Sequence, residues 1–208
     1  MSRQLRGDEI RKLIEEEKLF IRPLLQDSQI GMLSVDFRLG TEFMVSFQGR
    51  QPYINVSYTD RDKGKPTSFF QETRRRLGDR FLLHPNQIVL ASSLEYIKMP
   101  KNLVAMLSMR STYSRLGLVM SSYVHPGYSG CISIELTNTG NNAVNLTVGA
   151  RLFQASFSEI DEELNYFDHA RKYICQVRPK VSDLSGEEDL ENLHQIWSKR
   201  QSLDCLKD

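Results

Sequence analysis

The chain has 208 residues, a formal net charge of +1 and 25% charged residues; that length buries one sizeable core without disulfides or structural metals, and the near-neutral balance excludes a general nucleic-acid surface built on bulk positive potential. Three cysteines, Cys131, Cys175 and Cys205, form no paired framework and no Cys-x-x-Cys, which points to a reducing compartment. Residues 1–8 carry no apolar signal core and no run reaches membrane-spanning length, so the expectation is a soluble, cytoplasmic protein with no membrane partner.

In chain order, Asp8 is placed to cap a short helix whose apolar Ile10, Leu13 and Ile14 recur at helical spacing. After Pro23 the texture changes. Residues 34–40 alternate with period two, and 42–47 read as a second strand after a turn at Gly40. Residues 57–80, polar and basic with Arg74-Arg75-Arg76, read as a long loop. Short β-rich runs follow at 80–83, 87–91, 94–97, 104–107, 131–136, 143–146 and 152–157. Turn signals at His84-Pro85-Asn86, Met99-Pro100, Pro126-Gly127 and 139–142 separate them. Many short strands with regular turns imply a sandwich, jelly roll or barrel. The tail differs: Leu190, Leu193, Ile196 and Trp197 fall on one helical face, which predicts a C-terminal helical extension.

Much common chemistry is excluded. No phosphate-cradling Gly-x-x-x-x-Gly-Lys-Ser/Thr or Gly-x-Gly-x-x-Gly is present, nor the His-x-Glu with Pro-Cys-x-x-Cys of zinc nucleobase deaminases, nor a Gly-x-Ser-x-Gly elbow. His84, His125, His169 and His194 have no ligand spacing between them, so no metal site is expected. What survives is Arg110-Ser111-Thr112-Tyr113-Ser114-Arg115, whose cations and hydroxyls suit an oxyanion, and a lone acid, Glu135, in an apolar run. Ile132, Ile134 and Leu136 alternate, which puts Ser133 and Glu135 on the opposite face. If that face lines a pocket, Glu135 is a candidate general base with a raised pKa; if it meets only solvent, the glutamate is an ordinary surface residue.

These residues resemble a known family. Arg110-Ser111-Thr112-Tyr113-Ser114-Arg115-Leu116-Gly117-Leu118, followed by Pro126-Gly127-Tyr128-Ser129-Gly130-Cys131-Ile132-Ser133-Ile134-Glu135-Leu136, resembles the signature of the dCTP deaminases of the dUTPase-like superfamily. Residues 30–40, Leu83-His84-Pro85, Ser93-Leu94-Glu95-Tyr96, Met99-Pro100 and 148–154 resemble its other strands, and Lys172-Tyr173 with Gln176, Pro179 and Ser182 resembles its C-terminal phosphate-closing segment. The likeness covers roughly residues 5–182, with its motifs in order.

The resemblance implies a mainly β fold, a distorted jelly roll or β-barrel of the dUTPase-like type, over residues 1–182, with 183–208 as a tail. It implies a homotrimer with sites at subunit interfaces, dCTP as the nucleoside triphosphate, and hydrolytic deamination to dUTP and ammonia. No catalytic cofactor is implied; Mg²⁺ accompanies the triphosphate as counter-ion. By the same resemblance Glu135 is the general base on a water held by Ser111 and Arg115. Substrate contacts fall to Arg110, Ser111, Thr112, Tyr113, Ser114, Arg115, His125, Ser133, Ile134, Tyr166, Lys172 and Gln176. The chain departs from the pattern in a shortened hairpin at 118–125, in His125 where the family has an aspartate for the sugar 3′-hydroxyl, and in Met109 and Arg178 where it has glycines. A histidine can still hydrogen-bond a hydroxyl but lacks the fixed acceptor charge. Three readings follow: a metal-independent dCTP deaminase, a catalytically silent nucleotide-binding homologue, and a dUTPase-type pyrophosphohydrolase, the last disfavoured by His125.

Overall fold

A computed structural model of the protein describes residues 3–47, 66–120, 122–164, 166–168, 175–183, 192–193 and 195–197. The chain divides into two units, Met1–Phe47 with Phe70–Lys180, and Gln48–Phe69 with Val181–Asp208. In the second, Pro66–Phe69 form a short 3-10 turn. The described tail residues Asn192, Leu193, Gln195, Ile196 and Trp197 are helical and exposed; Leu190 and the remainder of the expected tail helix lie outside the described residues.

The first unit is built from β1 (Arg3–Gln4), α1 (Gly7–Glu15), β2 (Phe20–Arg22), β3 (Val35–Ser46), β4 (Phe70–Arg74), β5 (Arg80–Leu83), β6 (Ile88–Lys98), β7 (Leu103–Met109), α2 (Ser111–Ser114), β8 (Leu118–Val119), β9 (Ser122–Val124), β10 (Ser129–Asn138), β11 (Val144–Thr147) and β12 (Arg151–Glu159). All described pairings are antiparallel. The large sheet runs β8-β10-β6-β3-β12-β7-β9, and β11 pairs with β5 in a second, two-stranded sheet. β8 and β9 stand at opposite ends of that path, yet only residues 120 and 121 separate them. At roughly 3.3 Å per residue the two edges can be no more than about 10 Å apart. The sheet must therefore curl back on itself, as a distorted barrel does. The stretch 118–125, expected as a hairpin, instead carries β8 and β9 on these two edges: among the described residues β8 pairs only with β10 and β9 only with β7.

The core follows from strand alternation. Val35, Phe37 and Leu39 of β3 point inward and are fully buried, Phe37 stacking on Phe153 at 5.5 Å and Phe43 on Phe81 at 4.2 Å. Each such ring contributes on the order of 1.5–3 kcal/mol by its burial. Gly40 does not make the expected turn; it lies within one continuous strand whose register against β6 shifts between Leu39 and Phe43. A Cβ there would sit 2.6 Å from the Ser92 carbonyl oxygen, so the residue is glycine for close strand approach. The helix also starts two residues earlier than expected. Arg6 is the N-cap and its N–H donates to the Glu9 carboxylate at 2.9 Å, leaving Asp8 inside the first turn. Within the stretch expected as loop, residues 70–74 form β4, because Phe70–Arg74 complete the β3 edge from Glu42 to Ser46.

Candidate active site

The oxyanion cluster begins where β7 ends. Arg110 is extended, and its carbonyl accepts the N–H groups of Tyr113 and Ser114 to start the single turn of α2. Ser111, Thr112, Ser114 and Arg115 are exposed and Tyr113 is half-buried. The turn is closed by Gly117 at φ 88°, where a Cβ would meet the Gly140 nitrogen at 2.6 Å. The Gly117 carbonyl accepts both the Thr139 N–H and the Thr139 hydroxyl, each at 2.8 Å. Gly117 thereby ties α2 to the residue just past the end of β10, the strand that carries Glu135.

A cavity of about 380 Å³ opens beside α2, lined by Ser28, Ser34, Asp36, Arg110, Ser111 and Gln154 among others. At its wall Arg110 Nε lies 3.5 Å and Arg151 Nη1 3.6 Å from Asp36 Oδ2, while Arg110 also donates to the Arg151 carbonyl at 3.3 Å. Burial pushes the Asp36 carboxyl above its ordinary value, against the pull of Arg110, Arg151 and Arg38. Two guanidiniums, Arg110 and Arg151, against one carboxylate leave a local excess of positive charge, which suits a phosphate. Asp36, Arg151, Ser28, Ser34 and Gln154 were not expected in the site. The available signal was the alternation of β3: with Val35, Phe37 and Leu39 inward, Asp36 and Arg38 had to share the other face.

Glu135 lies opposite Leu90 of β6, on the outward face of β10 as the alternation required. The residue is exposed, yet the surrounding sheet shields the carboxyl enough that desolvation raises its pKa. Among the described residues no side chain pairs with it, and no hydrogen bond joins it to Ser111 or Arg115 within the chain. Ser133 shares its face and is half-buried; Ile134 is wholly buried in the core, so what it offers a ligand is backbone.

The remaining expected residues gather at the opposite, N-terminal end of β10. His125 is exposed and its ring lies 5.9 Å from that of Tyr166, which meets Tyr128 edge-on at 5.4 Å. Tyr128 donates its hydroxyl to the Cys131 carbonyl at 2.6 Å. Gln176 returns to this point: Cys131 N–H donates to its carbonyl at 2.7 Å, and its side chain is buried with Nε2 unpartnered. Lys172 lies outside the described residues. So one chain places the oxyanion cluster at one end of β10 and the His125–Tyr166–Gln176 group at the other, with Glu135 between. From Cys131 to Thr139 is eight residues, roughly 25 Å of strand.

A second carboxylate lies within the Ser93-Leu94-Glu95-Tyr96 motif. Glu95 of β6 is fully buried, accepts the Arg38 N–H at 2.8 Å and Gln29 Nε2 at 3.1 Å, and lies 4.0 Å from Arg38 Nε. Burial raises its pKa to about 7 despite those donors. Of the cysteines, Cys131 is half-buried and Cys175 exposed, both free, and Cys205 lies outside the described residues. No described helix is long and apolar enough to cross a membrane.

A curled antiparallel sheet, with an arginine-lined cavity beside α2 and an outward glutamate on β10, defines a mainly β protein of distorted-barrel type. The fold is matched by the crystal structure of the 2'-deoxycytidine 5'-triphosphate deaminase from Agrobacterium tumefaciens, with TM-score 0.58 and 20% identity over 76% of this chain and 49% of that longer one. The family model described as dCTP deaminase-like matches residues 4–160. Among curated relatives, the chain is 36% identical to a "dCTP deaminase, dUMP-forming" of Methanobrevibacter smithii, over 88% of this chain and 95% of that protein. It is 32% identical to a "dCTP deaminase" of Haloarcula marismortui, over 87% and 94% respectively. The chain belongs to the dCTP deaminase family, a family of hydrolases.

Proposed function

We propose that the protein hydrolyses the 4-amino group of dCTP, giving dUTP and ammonia. Arg110, Ser111 and the hydroxyls of α2 hold the triphosphate, which enters with Mg²⁺ as part of the substrate; Lys172 and Gln176 close over it. Glu135 takes a proton from a water positioned by Ser111 and Arg115, and the water oxygen forms a bond to C4 of cytosine. The same carboxyl then returns the proton to the amino group, the C–N bond breaks, and ammonia leaves. The observation that carries this reading is Glu135 itself: a carboxyl with a raised pKa, on an outward strand face, with no side-chain partner among the described residues. A purely structural glutamate on that face gains nothing from partial desolvation, whereas a base gains proton affinity.

The site is completed by association. The oxyanion cluster and the His125–Tyr166–Gln176 group stand at opposite ends of β10, too far apart for one nucleotide to meet both in one chain. A homotrimer that brings one copy's α2 to another's Glu135 resolves this. Some relatives are named dUMP-forming; here His125 supplies no carboxylate for a second water, so the product is dUTP. Incubating the protein with each pyrimidine triphosphate and resolving products by chromatography tests both parts. The expected result is ammonia and dUTP from dCTP alone. A dUMP product refutes the product assignment, and nucleotide binding without turnover favours the silent homologue.

A further inference from the structure

The arginine run at 74–76 takes no part in the site above, and strand alternation separates it. Arg74 turns to one face of β4 and pairs with Glu42 at 3.1 Å, while Glu72 shares that face opposite Met44. Gln71, Thr73 and Arg75 are left on the other face. There they meet β5 across a second cavity of about 400 Å³, whose lining includes Val45, Thr73, Arg75, Arg80, Phe81 and His84. Two permanent cations and no acid line it. Arg75 is held in place, its N–H donating to the Thr41 carbonyl at 2.9 Å and Nη1 to Thr73 Oγ1 at 2.7 Å and the Arg74 carbonyl at 3.1 Å. The rest of its guanidinium, and that of Arg80, have no partner among the described residues. The floor is apolar, with Phe81 buried against Phe43 and so not open to stack a base.

We infer that this cavity is a second anion site, distinct from the Arg110 cavity, and that it binds a diphosphate group through Arg75, Arg80 and His84. A guanidinium held by hydrogen bonds and a second one lining the same cavity suit the oxygens of a diphosphate. With no aromatic face on offer, the phosphates and not a base carry recognition. The size is that of a small-molecule pocket.

Calorimetric titration of the full chain with inorganic pyrophosphate tests the inference, because it reads binding and not turnover. Wild type is expected to show two classes of site per subunit. The double variant Arg75→Ala/Arg80→Ala loses the second class, at least about tenfold in affinity, with dCTP turnover and melting temperature kept. Arg110→Ala retains it, and Arg75→Lys/Arg80→Lys restores it in part. ADP at this site is expected to bind no more tightly than pyrophosphate. A titration unchanged by the double variant overturns the site, as does a single class abolished by Arg110→Ala; ADP bound tenfold more tightly overturns the diphosphate-only recognition. The single exposed variant Arg80→Glu gives the same readout should the double variant fail to fold.

Discussion

Glu95 and Glu135 sit on neighbouring antiparallel strands and differ in everything but chemistry. Glu95 faces inward, fully buried, with the Arg38 N–H and Gln29 Nε2 donating to it and the Arg38 guanidinium beside it. Glu135 faces outward with no side-chain partner among the described residues. Burial raises both pKa values. The contrast separates two uses of a desolvated carboxyl: one whose hydrogen bonds are fully used in holding strands together, and one whose proton affinity is left for chemistry. Substitutions at the first are expected to alter stability, and at the second activity.

The largest effect is expected at Glu95. Glu95→Ala leaves the Arg38 N–H without its acceptor, removes one of the two acceptors of Gln29 Nε2 and takes the buried counter-charge from the Arg38 guanidinium, and should cost about 3–5 kcal/mol by chemical denaturation. A cost below about 1 kcal/mol would erase the contrast. On the other side, Arg115→Ala should lower kcat by about 10²–10³, or roughly 3–4 kcal/mol of barrier, while melting moves little. A parallel loss of stability would make Arg115 a structural residue.

The pH dependence of stability comes next. The folded pKa of Glu95, about 7, lies above its ordinary value of 4.5, so the folded state holds the extra proton between them. Stability from this group is complete below about pH 4.5 and lost as pH rises through 7, a decline on the order of 3 kcal/mol. Asp36 and Glu135 act in the same direction, whereas Glu9 and Glu16, held low by their partners, lose their contribution only on the acid side. Denaturant midpoints measured from pH 4.5 to 7.5 should fall; a rise would contradict the assignment to Glu95. The smallest effect is at the hinge between cluster and strand. Gly117→Ala forces a Cβ into a left-handed residue against the Gly140 backbone, and should cost about 2 kcal/mol while weakening dCTP turnover by displacing α2. Unchanged turnover would show that α2 does not depend on this tie.

Much of this was legible in the residues. The alternation around Ile132, Ile134 and Leu136 places Glu135 on the outer face, and the ordered motifs point to the family. What stayed hidden was long-range. Nothing local says that Gly40 is a close strand crossing, because a glycine between two β-runs reads equally as a turn. Nothing local says that 118–124 spans a seam between two sheet edges, since that depends on which distant strands pair. Asp36 and Arg151 belong to strands far apart in sequence, and only their pairing brings both against Arg110. Glu95 sat inside a recognised motif, but its burial arises from Gln29 and Arg38, residues that no spacing rule links to it.

The most direct test compares ammonia release from dCTP by the wild-type protein and by Glu135→Gln, with melting temperatures measured on the same samples. The expected result is deamination by wild type, a loss of about 10²–10⁴ in the variant, and matched stability. Deamination that survives the substitution, or a folded wild type inert toward dCTP, would contradict Glu135 as the base.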